Sequence, residues 1–142
     1  VTRVALAVVC AFALLAGCAH PLTPAITVLN TSGAFLTTAH GAMVAAQDAE
    51  AARASAAAPD EASAERAEDA TEARYAPWWD AYRGAWLVWV AGRASVEAAS
   101  AARAAGQDPK LEKVRAVVLR LVAAQERLRD ATEALIGARE GR

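Results

Sequence analysis

Between residues 45 and 74 the chain carries no apolar side chain larger than alanine. A stretch of that kind cannot line a sheet or fill a conventional core, because alanine buries too little area to offset the entropy of ordering a backbone. It can form helix, for which alanine has the highest propensity, and it lets two helices approach closely. Proline and glycine are sparse between residues 42 and 136. Together these features predict an all-α domain, an antiparallel three-helix bundle or long helical hairpin plus third helix.

The breakers set the expected boundaries. Pro21 and Pro24 mark a short tether over residues 18–25, followed by a helix over about 26–57. Its seam is read at Ile26, Leu29, Gly33, Leu36, His40, Met43 and Gln47, in alternating steps of three and four. Pro59 and Asp60 end that helix, and Glu61, Glu65, Glu68 and Asp69 crowd the following turns, where a helix N-terminus favours negative charge. The second helix is expected over about 60–105, with Pro77 as a kink or a fresh start and Gly106 as its stop. A second arrangement leaves residues 60–75 as an acidic linker and starts that helix at Pro77. Asp108 and Pro109 are expected to open a third helix over about 109–139, whose apolar positions include Leu111, Val114, Val118, Leu121, Leu128, Leu135 and Ile136.

Folding back at Pro59 and near Gln107 would set Tyr82 opposite Phe35, Trp86 near Leu128, Trp78 near Ile136 and Val96 near Val118. The large side chains then fall where three helices overlap and the alanines where only two do. A bundle with a protruding alanine-lined hairpin follows from that agreement.

The formal charge of -1 argues against nucleic acid as a partner, since phosphate recognition needs a net basic face. Charge is nonetheless segregated, with nine acids and three bases in residues 48–80 against eleven bases and seven acids in residues 81–142. Attraction between packed segments accounts for this; a basic C-terminal surface meeting anionic lipid or cell wall is the functional alternative.

The most distinctive local feature is the set Tyr75, Trp78, Trp79, Tyr82, Trp86 and Trp89, which at 100° per residue share about a third of the helix circumference. The plain reading is a central helix buried on several sides; the functional one is an aromatic strip for a partner helix, a lipid interface or sugar stacking. Arg93, on the same stripe, reads as a snorkelling or paired side chain. His40 reads as a hydrogen-bonded core or boundary residue and His20 as a solvated one, and two histidines so placed make no zinc motif. The carboxylates of residues 60–72 alternate with alanine and lack the glycine-containing turn of a calcium loop. Neither a nucleophile elbow nor a phosphate-cradling glycine loop appears. A non-catalytic protein without cofactor or metal is therefore expected.

At the N-terminus Arg3 precedes an apolar run over residues 4–16 and small residues at Ala16 and Gly17, the pattern of a signal peptide over residues 1–17. Thirteen helical residues span about 20 Å, short of the roughly 30 Å of a hydrocarbon core. The tetrapeptide Leu15-Ala16-Gly17-Cys18 resembles the lipobox of bacterial lipoproteins. The resemblance covers about eighteen residues and implies cleavage before Cys18, with acyl chains such as palmitate joined to that thiol. Two chains suffice for stable membrane anchoring. It also implies a cell-envelope location facing the periplasm, and Ala19, where an aspartate would resemble an inner-membrane retention signal, favours the inner leaflet of the outer membrane. Cys10 would leave with the signal peptide, so no disulfide is expected.

In general shape such a chain resembles small helical lipoproteins, secretion-system pilot proteins among them. The expected role is a non-catalytic interaction, assembly or structural component of the envelope, with an envelope protein as partner and self-association left open. The alternative is a lipid-, peptidoglycan- or small-ligand-binding module using Trp78, Trp79, Tyr82, Trp86 and Trp89.

Overall fold

The computed structural model describes residues 22–140. The signal peptide, Cys18, His20 and the first part of the tether lie outside the described residues. Three helices make up nearly all of the described chain: α1 (Thr23–Ala56), α2 (Glu61–Ala104) and α3 (Leu111–Glu140). They form an all-α three-helix bundle with no strand among the described residues. α2 is the central element and packs along both α1 and α3, whereas α1 and α3 meet only briefly.

Helix α1 starts earlier than the prolines suggest. Pro24 falls in its first turn, where the missing N–H has no intrahelical acceptor to lose and the fixed φ suits the helix, so Thr23 and Pro24 belong to the helix and not to a tether. Asp60 caps α2, its carboxylate accepting from the Ser63 amide at 2.7 Å. From there α2 runs unbroken through residues 60–75, past Pro77, to Ala104. Pro77 removes one rung of the helical ladder; Ala73, whose carbonyl loses that donor, is exposed, where water can serve instead.

Gly106 stops α2 as expected. Its φ of +69° is left-handed, and the Gly106 amide bonds the Arg103 carbonyl while the Gln107 amide reaches the Ala102 carbonyl at 2.8 Å. Both bonds satisfy carbonyls that the helix end would otherwise orphan. α3 begins two residues later than expected, at Leu111. The Asp108 carboxylate accepts from the Lys110 amide, and Lys110 itself turns the chain with a φ of 46°.

The core has two parts. At the base, where the N-terminus of α1 meets the α2–α3 turn, Leu22, Ala25 and Leu29 pack with Val96 and Ala99 of α2 and with Val114, Val118 and Leu121 of α3. Further along, Leu36, Trp78, Ala85 and Leu128 form a second cluster, flanked by Met43, Trp79, Tyr82 and Trp89. Gly92 lies where all three helices converge: a Cβ there would sit 2.6 Å from Leu29 Cδ2 and 3.2 Å from Val117 Cγ1.

The register differs from the midpoint estimate by about one turn. Trp78 meets Thr132, not Ile136, and Leu128 packs with Trp78 and Ala85, not with Trp86. Six residues, 105 to 110, join α2 to α3, with left-handed positions at both Gly106 and Lys110. Val96 and Val118 do share a cluster. Phe35 and Ile136 are exposed. The α1 seam is also rotated: Ala25 and Ser32 are buried where Ile26 and Gly33 were expected to be, because small side chains occupy the line of closest approach.

Candidate functional site

The aromatic stripe of α2 is held by polar clamps from both neighbours. Trp78, 2% exposed, donates its Nε1–H to Thr132 Oγ1 at 2.9 Å, and that hydroxyl donates onward to the Leu128 carbonyl at 2.8 Å. Trp79 donates to Gln47 Oε1 of α1 at 2.7 Å. Trp89 donates to the Leu29 carbonyl at 2.7 Å, sharing the acceptor that regular helical pairing assigns to the Gly33 amide. Gly33 makes that approach feasible, since a Cβ there would lie 2.9 Å from the indole. Tyr75, fully buried, donates its hydroxyl to Glu50 Oε2 at 3.0 Å, and Glu50 also pairs with the Arg74 guanidinium.

Each clamp follows from one requirement: an indole or phenol brought into a protein interior needs a partner for its polar atom. Gly33 and Ala39 of α1 and Ala124 and Ala131 of α3 leave room for the rings, and Gln47, Glu50 and Thr132 stand where their polar ends fall. The rings also touch one another. Tyr82 stacks on Trp78 with centroids 5.4 Å apart, Trp79 meets Trp78 edge-on at 4.8 Å, and Trp86 lies 4.9 Å from Trp89. Burial pushes the Tyr82 phenol above its ordinary pKa, because the ionised form would lose solvation.

The stripe therefore divides by depth. Tyr75 and Trp78 are buried, Trp79, Tyr82 and Trp89 are half-buried, and Trp86 is 37% exposed. Arg93 lies over the Trp89 ring at 5.6 Å and pairs with Glu97, as a snorkelling side chain does. Of the core and boundary positions open to it, His40 takes the boundary: it is exposed, resting against the rings of Trp79 and Tyr82 at 5.5 and 5.3 Å. The sequence showed the stripe but not its clamps. Gln47, Glu50 and Thr132 are distant in sequence from the rings they hold, and only the register of the helices brings them together.

Elsewhere, Glu61, Glu65, Glu68, Asp69 and Glu72 are all exposed along the free face of the hairpin. Among the described residues no group of histidine, cysteine, aspartate and glutamate is arranged to hold a metal ion. No described helix is long and apolar enough to cross a membrane. A shallow cleft at the base is lined by Ala25, Asp108, Leu111, Glu112, Arg115 and Val118. Comparison with protein families, curated proteins and solved structures finds no match for this chain.

Proposed function

We propose that this protein is an acyl-anchored lipoprotein of the bacterial envelope, facing the periplasm from the inner leaflet of the outer membrane, that works without catalysis as an interaction, assembly or structural component. The observation that carries the reading is the position of the chain's entry into the fold. Leu22 and Ala25 are buried in the three-helix cluster at the base, and Leu22 stands only four residues after Cys18 in the chain. Four residues reach at most about 14 Å. Acyl chains on Cys18 would thus hold the most firmly packed end of the bundle at the membrane surface.

From that end α1 extends 34 residues, about 50 Å at 1.5 Å per residue, to the hairpin tip. The tip is polar, acidic and free of the third helix, which suits contact with another envelope protein. The aromatic stripe is assigned to packing, because four of its six polar atoms are already engaged by α1 and α3.

The test is crosslinking in intact cells from a photo-reactive residue at Ala57, which is exposed at the tip. One dominant protein crosslink, lost when Cys18→Ala abolishes anchoring, is the expected result. A crosslink pattern unchanged by Cys18→Ala, with the protein still sedimenting with membranes, would overturn the anchored reading.

A further inference from the structure

Lys113, Arg120 and Arg127 follow one another at steps of seven along α3, all exposed, on a line about 21 Å long at 1.5 Å per residue. Among the described residues none of the three has a carboxylate within ion-pair reach. The line runs on the flank of α3 away from α1; Glu112 and Arg115, which border the cleft beside Ala25, mark the other flank. Across the α2–α3 junction, on the same side of the bundle, α2 presents Ala70, Pro77, Gly84, Ala91 and Ala98, again at steps of seven and all exposed. The nearest acid on α2, Asp80, is paired with Arg83 at 3.5 Å. This face thus sets three free cations beside a smooth strip without charge.

We propose that this face binds anionic phospholipid headgroups, so that the bundle lies along a bilayer with Lys113, Arg120 and Arg127 on the phosphates. Charge selects the face that turns down. At 100° per residue Glu61, Glu65, Glu68 and Glu72 fall on the side of α2 opposite the uncharged strip, and the acids of α3 lie round toward the Arg115 side. A bundle resting on its basic line therefore keeps its acids turned away from the lipid phosphates. The line has no pocket and no aromatic anchor of its own, features on which a shaped protein partner depends. A planar array of phosphates needs neither.

The inference rests on the acyl-anchor reading and deepens it. Val114, next to Lys113, packs with Leu22 in the base cluster, so the line begins at the end that Cys18 would hold at the membrane and runs away from it along the bundle. Each base near an anionic surface strengthens binding only about fivefold. Three of them make a weak contact for a free protein, but a tether turns it into an intramolecular one at high effective concentration.

The experiment places the full acylated chain, with a donor dye on Ala134→Cys, in vesicles whose headgroups carry an acceptor dye. Ala134 is exposed one further step of seven along the line, about 30 Å from Lys113, so energy transfer separates a lying bundle from a standing one. Transfer should be strong in phosphatidylethanolamine with phosphatidylglycerol, and should fall when phosphatidylcholine replaces the phosphatidylglycerol or when salt is raised. Arg120→Ala with Arg127→Ala should lower the ratio of lying to standing molecules about 25-fold. Arg115→Ala with Arg129→Ala removes the same charge from the other flank and should leave the ratio unchanged. Equal transfer in the two vesicles, or equal losses from the two pairs of substitutions, would overturn the proposal. Flotation scores attachment separately. A chain that floats with both vesicles but ignores phosphatidylglycerol keeps the anchor and sinks the face, whereas one that floats only with the anionic vesicles sinks the anchor and keeps the face.

Discussion

At the base of the molecule Gly92 sits under Leu29 of α1 and Val117 of α3, so three helices press on one point. Near the tip α1 and α2 run side by side with alanine between them, joined through Glu50, Arg74 and Tyr75. The two regions share one continuous central helix but not one source of stability. At the base and middle, large apolar surfaces leave water; at the tip, helix propensity, a cap and a half-buried polar cluster hold the chain. Helices without a broad apolar face depend on their neighbours, so the tip should open locally while the base opens only with the whole domain.

Breaking the packed part has the largest expected effect. Trp78→Ala removes a buried indole and its bond to Thr132, at a cost of about 3–5 kcal/mol. Since small domains hold only about 5–15 kcal/mol in total, thermal melting should show the largest fall in melting temperature of the series. Overfilling the convergence point comes next: Gly92→Val, with nowhere for its Cβ to go but the buried Leu29, should cost about 1–3 kcal/mol and lower the melting temperature.

Breaking the hairpin has a smaller and more local effect. Glu50→Ala leaves the half-buried Arg74 and the Tyr75 hydroxyl without this acceptor, for about 1–2 kcal/mol, visible as faster amide exchange in residues 48–75. The smallest effect lies at the cap. Hydrogen bonds from Ser63 hold the Asp60 carboxyl below its ordinary value of 3.8. Its folded-state pKa being depressed, its contribution is present above that value and is lost as the pH falls through the lowered one. Asp60→Ala should therefore speed exchange in the first turn of α2 near neutral pH and remove the acid dependence of that turn, leaving global melting unchanged.

The same contrast explains what could be read in advance. Helix number, the Pro59 break and the Gly106 stop were legible because each depends on one or two residues with sharp backbone preferences. The large-residue base and alanine hairpin were legible because side-chain size alone sorts them. Fine register was not. Trp78 faces Thr132 instead of Ile136, and the left-handed turn at Lys110 likewise has no local signal in the sequence. The α1 seam falls on Ala25 and Ser32 because close approach selects small side chains, whereas a search by hydrophobicity selects Ile26. His40, read as a core or boundary residue, lies at the boundary, and only the register decides between the two. The clamps on the aromatic stripe needed the register first.

The division into a cooperative base and a locally opening tip is tested most directly by hydrogen–deuterium exchange on the full chain in detergent. Amides of residues 85–99 and 114–128 should exchange together, at the rate set by global unfolding, and those of residues 48–70 should exchange markedly faster. Uniform protection along the whole of α2, from Glu61 to Ala104, would contradict it.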